Sequence, residues 1–158
     1  MPALKAASWA LLAFAGQLLL APLLSVGEIR PDFILILLVY LSARYGRVTG
    51  ILAGFTLGLL QDATGAVSVL GINALSKSVV GYVAGTLNGN LSIWTPRVVN
   101  LYIYGSFVGH ALIYQSVMAL GLDSTAGLLA NHMVTEAFMS SLMMTGLRYL
   151  VPLVRSPL

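Results

Sequence analysis

Cysteine is absent from the 158-residue sequence, and only 8% of its residues are charged. The absence of cysteine excludes disulfide bonds and metal sites built on thiolates. An ordinary soluble domain has roughly 25% charged residues, so this chain has too few charges to cover a soluble surface. Common enzyme motifs are missing too, including the nucleophile elbow, phosphate loop, metalloprotease helix and dinucleotide fingerprint. We therefore predict a non-enzymatic protein without a metal or cofactor.

Basic residues exceed acidic ones by eight to five, which gives a net charge of +3. These bases are scattered between apolar runs instead of clustered on one segment, so no nucleic-acid partner is expected. Hydrophobic residues make up 58% of the chain. Together these features predict one multi-pass membrane domain over residues 1–158, in contact with membrane lipids.

Short breaks containing glycine, proline, asparagine or charged residues divide the apolar sequence into six segments. The segments lie at about 7–26, 31–45, 48–64, 70–89, 98–121 and 128–150. A membrane-spanning helix needs about 20 residues, so the second and third segments predict tight or re-entrant spans. The first segment is long for a signal-peptide core, which predicts a retained helix. The predicted fold class is all-α, with six transmembrane helices in a compact bundle.

The distribution of basic residues predicts the orientation of this bundle. If the N-terminus is cytoplasmic, six basic residues lie at cytoplasmic helix ends and only Arg30 lies outside. The six are Lys5, Arg44, Arg47, Arg97, Arg148 and Arg155. The positive-inside rule therefore predicts that both termini are cytoplasmic.

Small residues recur every four positions on two consecutive segments, and residues four apart share one face of a helix. The third segment carries Gly50, Gly54 and Gly58, followed by Asp62. The fourth carries Asn73, Lys77, Gly81, Gly85 and Gly89. Faces without side chains let another helix approach closely in a membrane. These glycines predict either packing within the bundle or docking of a partner helix, and we expect docking on at least one of the two faces.

A weaker pair of glycines in the fifth segment has the same spacing, at Gly105 and Gly109. Lys77 lies about seven residues, or roughly 10 Å, into the fourth segment. Asp62 is its predicted ion-pair partner, because a short hairpin brings the two segments together. Two alternatives are that Lys77 extends to the outer surface while Asp62 caps the loop, and that Lys77 contacts a ligand.

Polar residues also share a face of the last segment, where His132, Glu136 and Ser140 are spaced four apart. His110 lies midway along the preceding antiparallel segment, so these side chains predict a polar cluster in the outer half of the bundle. The cluster has three possible roles: hydrogen bonding between helices, binding of a small molecule, or a metal or proton relay.

Several motifs follow one another between about residues 31 and 89. Pro31-Asp32 precedes the apolar run 33–41, the glycines at 50, 54 and 58 lead to Asp62, Leu-Gly-Ile-Asn-Ala-Leu-Ser-Lys occupies 70–77, and Gly81-Tyr82 follows. In this order the motifs resemble the MreD family, the rod shape-determining membrane proteins of bacteria.

The resemblance implies a six-helix inner-membrane scaffold of the cell-elongation complex, or elongasome. It implies binding to the transmembrane helix of MreC, a single-span protein with a periplasmic domain. Through MreC it implies connection to the MreB filament and to the peptidoglycan polymerase and transpeptidase, so that the scaffold helps to organise peptidoglycan synthesis and rod shape.

The MreD fold is similar to that of the substrate-binding S components of energy-coupling-factor vitamin transporters. This similarity supplies an alternative function, in which Lys77, His110, His132 and Glu136 line the cavity that holds a vitamin. In a third hypothesis, Lys77 contacts the phosphate of a lipid-linked wall precursor that the protein flips across the membrane.

Overall fold

The computed structural model describes residues 15–17, 19, 23, 25, 31–64, 70–91, 93–121 and 135–146. The regular structure within these ranges is helical, without strands, which confirms the all-α prediction. We label the helical residues 15–17 α1 and the helical residues 135–146 α6. Between them lie α2 (Phe33–Tyr45), α3 (Arg47–Thr64), α4 (Ile72–Ala84), a 3-10 turn (Gly85–Leu87) and α5 (Pro96–Gly121).

The observed helices agree closely with the second, third and fifth predicted segments, and most of the first segment lies outside the described residues. The fourth segment departs from its prediction because α4 ends at Ala84 instead of continuing to residue 89. The chain then tightens into the 3-10 turn, becomes extended at Asn88 and takes a positive φ of 80° at Gly89. Gly89 therefore belongs to a turn and not to the helical face predicted for it.

Within the described ranges, every helix falls short of the length or the sustained hydropathy that crossing a membrane requires. The membrane spans inferred from the apolar segments stay a prediction.

A single residue, Gly46, separates α2 from α3. Its φ of 91° lies in a region that glycine adopts without steric cost, and its N–H donates to the carbonyl of Ser42. The side-chain amide of Asn88 donates to the carbonyls of Ala43 at 3.3 Å and Arg44 at 2.6 Å. The segment after α4 therefore caps the end of α2 and fixes this turn.

The core forms around α2, in which nine of 13 residues are buried. A helix that is apolar on all sides needs neighbours on all sides. Buried residues from four helices supply one continuous cluster, which includes Leu35, Leu38, Val39, Val80, Ala84, Val99, Ile103, Phe107, Ala137 and Met144. This arrangement brings the N-terminus of α2 close to α4, α5 and α6.

The outward faces of α3, α4 and α5 are apolar as well. Their large exposed side chains include Val48, Leu52, Phe55, Leu75, Val79, Leu101, Val108 and Leu112. Large exposed apolar patches are typical of surfaces that contact a membrane or another protein.

Candidate functional site

The faces of α3 and α4 that carry the glycines pack against each other, backbone to backbone. Gly50 lies against the carbonyl of Gly81, and Gly54 lies against the backbone of Lys77. A Cβ atom on Gly58 would come within 2.5 Å of the carbonyl oxygen of Asn73. Because real Cβ contacts are never this short, even one methyl group would force the two helices apart.

The same contact is seen from α4. A Cβ on Gly81 would collide with the carbonyl of Gly50, and a Cβ on Gly85 would lie 2.5 Å from the Cα of Arg47. All of these glycines are buried. The two stripes therefore fill each other along the length of the helix pair.

This placement corrects the prediction of a partner-docking face on α3 and α4. An outside helix cannot use Gly50, Gly54, Gly58, Gly81 or Gly85 while α3 and α4 remain in contact. The physical reason is that two complementary bare faces on consecutive helices meet each other first. Gly89 is exposed, but it lies in the turn described above. The other alternative was packing within the bundle. That alternative agrees with where the structure places these five glycines.

Lys77 forms an ion pair with Asp32 instead of the predicted partner, Asp62. Its Nζ atom lies 2.7 Å from Oδ2 of Asp32, and its side chain is fully buried. Oδ1 of Asp32 accepts a hydrogen bond from the N–H of Leu35, so Asp32 is also the N-cap of α2. A carboxylate is favoured at a helix N-terminus, and a buried ammonium group needs a charged partner. One carboxylate meets both requirements.

Asp62 has a separate role as a cap for α4. Its carboxylate accepts from the N–H groups of Gly71 at 3.0 Å, Asn73 at 3.3 Å and Ala74 at 3.2 Å, and from the side-chain amide of Asn73 at 2.8 Å. Gly71 precedes α4 and has no side chain to satisfy these donors. Asp62 therefore caps the next helix, and Asn73 belongs to this cap. The alternative in which Lys77 extends to the outer surface while Asp62 caps the loop is wrong for Lys77, which is fully buried.

The N-terminus of α2 is also tied to two other helices. The N–H of Asp32 donates to Oγ of Ser140 on α6 at 2.9 Å, and the N–H of Phe33 donates to Oε1 of Gln17 on α1 at 2.8 Å. Sequence reasoning missed the roles of Asp32 and Gln17. An Asp between a proline and an apolar run is a recognisable N-cap signal, whereas a single glutamine in an apolar segment gives no indication of its partner.

His110, Glu136 and Ser140 come together with Asp32 around a small cavity. The cavity has a volume of about 20 Å³ and is lined by Asp32, Leu35, His110, Ala111, Glu136, Ala137 and Ser140. That volume holds about one water molecule. His132, which was predicted to join this cluster, lies outside the described residues. Lys77 pairs with Asp32 but is not among the residues that line the cavity.

The cavity and the cap at Asp62 are therefore two separate polar sites. In the part of the chain that the structure describes, no group of three or more histidine, aspartate or glutamate side chains is arranged to hold a metal ion. The two carboxylates link the ends of helices. Asp32 links α2 to α4 and α6, and Asp62 links α3 to α4.

Comparison with protein families supports a family assignment. The family model described as rod shape-determining protein MreD matches residues 2–154, nearly the whole chain. The match thus extends well beyond the central motifs between residues 31 and 89. Neither the search of curated proteins nor the search of solved structures found a match.

Proposed function

We propose, from the finding that the chain belongs to the MreD family of rod shape-determining proteins, that it is a non-enzymatic scaffold of the bacterial cell-elongation complex. Family membership supports a role in rod shape determination. The proposal adds that the chain crosses the inner membrane several times, binds MreC, and through MreC helps to organise MreB and the peptidoglycan polymerase and transpeptidase.

The observation that carries the proposal is the family match over residues 2–154. The structure supports a scaffold role through two features. The interior is fixed by contacts between backbones and by helix caps, and the outer faces of α3, α4 and α5 expose large apolar side chains. A rigid interior with apolar outer faces suits a protein that positions another membrane helix.

We assign the contact with the MreC transmembrane helix to the outer face of α5. Among the described residues, a Cβ added at Gly105 or Gly109 would meet nothing within 4 Å, in contrast to the glycines between α3 and α4. Leu101, Val108 and Leu112 flank this bare backbone and are exposed. In a membrane, close packing at small residues drives helix association, so this face offers both close approach and apolar contact to a single spanning helix.

Copurification of tagged MreC with variants of the chain tests this assignment. We expect Gly105→Leu and Gly109→Leu to reduce the recovered MreC several-fold, because the new side chains occupy the contact. Thr56→Leu is the matched control, since it adds the same side chain at an exposed position of α3. If both α5 variants recover as much MreC as the wild-type chain, MreC binds another surface. If the unmodified chain does not recover MreC, the scaffold proposal itself is wrong.

The alternative function, binding of a vitamin as a transporter S component, has no observation in its favour. Between the described residues, the cavity at His110 and Glu136 holds about one water molecule, far less than a vitamin requires. Mass spectrometry of the purified protein after denaturation tests the alternative directly, because a stoichiometric vitamin in the released fraction would support it.

A further inference from the structure

We propose that the cavity between α2, α5 and α6 is a binding site for one ordered water molecule, which bridges Nδ1 of His110 to the carboxylates of Asp32 and Glu136 in the same lining. Three independent features of the cavity point to this ligand: its volume, a buried nitrogen without a partner, and its acidic lining.

The volume fits a single small molecule. The cavity measures about 20 Å³, and a buried water needs roughly 10–15 Å³ measured in the same way. A second water does not fit comfortably, and any organic ligand is larger. Size therefore selects water among the neutral hydrogen-bonding ligands of a cell.

The imidazole of His110 supplies the unmet hydrogen-bonding group. His110 is only 9% exposed, and among the described residues its Nδ1 atom has no hydrogen-bond partner. Buried polar atoms of this kind are nearly always satisfied by protein or by ordered water. A water molecule both donates and accepts, so it pairs with Nδ1 whether that nitrogen carries a proton or a lone pair.

The carboxylates in the lining supply acceptors for the hydrogen atoms of the water. The carboxylate oxygens of Asp32 already accept from Leu35 and Lys77, at 2.9 Å and 2.7 Å. Each carboxylate oxygen has two lone pairs, so each can accept a further bond. The side chain of Glu136 also lines the cavity. A water between these groups extends the polar junction at Asp32 to α5 through Nδ1 of His110.

Nuclear magnetic resonance of the full chain in lipid nanodiscs, with ¹⁵N-labelled histidine, tests the inference. The sequence has two histidines, His110 and His132, and the variant His110→Phe assigns their signals. We expect a magnetisation-transfer peak between the His110 ring and a water molecule that resides longer than surface water. An His110 ring without such a peak, or an Nδ1 bonded directly to another protein group, would overturn the proposal.

A second test fills the cavity with a larger side chain and measures whether the water signal is lost. Ala137 and Ala111 line the cavity from α6 and α5, and either can be changed to valine to displace the water. We expect Ala137→Val to weaken the water peak several-fold while the amide signals of Asn73 and Ala74, which Asp62 holds at a separate site, stay unchanged. If that variant does not fold, Ala111→Val replaces it. A peak of wild-type intensity in a folded valine variant would place the water elsewhere and refute the site.

Discussion

Nζ of Lys77 and Oδ2 of Asp32 are 2.7 Å apart, although 45 residues separate them in the chain. The contact joins the middle of α4 to the first turn of α2. Because Lys77 is fully buried, its charge has little access to solvent, and the stability of the bundle depends on keeping both charges or neither.

Removing only one of these two charges should lower the stability of the fold. We expect Asp32→Asn, which retains an N-cap side chain but leaves the charge of Lys77 unpaired, to lower the free energy of unfolding by about 3–5 kcal/mol. The double variant Asp32→Asn/Lys77→Met removes both charges and should recover much of that loss. Unfolding in mixed detergent micelles measures the free energy of unfolding of both variants and of the single variant Lys77→Met. If the effects of the two single variants add up to that of the double variant, the charges are not coupled.

The glycine contact between α3 and α4 predicts an unusual sensitivity to one methyl group. Gly58→Ala should destabilise the protein by about 1–3 kcal/mol, because the added Cβ overlaps the backbone of α4. Gly105→Ala is the matched control: its Cβ has open space, and alanine favours a helix by about 1 kcal/mol over glycine. Thermal unfolding of the two variants separates these effects, and equal melting temperatures would be inconsistent with the contact.

The cap at Asp62 predicts a local change at the start of α4. Asp62→Ala removes the acceptor of four hydrogen bonds, at a cost of about 1–3 kcal/mol. Amide hydrogen exchange should accelerate at Asn73 and Ala74, while the amide of Leu35, which Asp32 caps, remains protected. Protection of Asn73 and Ala74 at the wild-type level would show that another group caps α4.

The bond from Phe33 to Gln17 predicts a smaller effect. Gln17→Leu removes the acceptor for the N–H of Phe33 and should cost about 1 kcal/mol. Gln17→Glu retains a side-chain acceptor and places negative charge near the N-terminus of α2, so it should retain most of the stability. Chemical unfolding compares the two variants, and a leucine variant as stable as the glutamate variant would contradict a capping role.

The features that could be predicted best from the sequence are those set by residues close together in the chain, such as helix boundaries and helix faces. The boundary between α2 and α3 follows from Gly46, and the four-residue spacing of Gly50, Gly54 and Gly58 indicates a face that another backbone approaches. Spacing alone cannot identify the neighbour, because it shows which side chains are missing and not what covers the gap. The neighbour proved to be α4 of the same chain.

The partner of Lys77 shows why the rest was harder to predict. Asp62 was predicted as the partner because it is close to Lys77 in sequence and a short hairpin brings their two segments together. The free N–H groups at the start of α4 occupy Asp62 instead, and packing of the core brings Asp32 to the ammonium group. The grouping of His110 with Glu136 followed from the predicted antiparallel arrangement of the last two segments. The addition of Asp32 depended on how α2 packs against the other helices.

The close contact between α3 and α4 has a consequence for biogenesis. The glycines of α3 and α4 and the backbone atoms of the facing helix and turn that they meet lie between positions 46 and 85, so the whole hairpin is synthesised before α5. Translation adds about 5–20 residues per second, which gives the two helices time to associate before the later segments arrive. The parts of the lining supplied by His110 and Glu136 are synthesised after this hairpin, so the cavity forms only once α5 and α6 have been made.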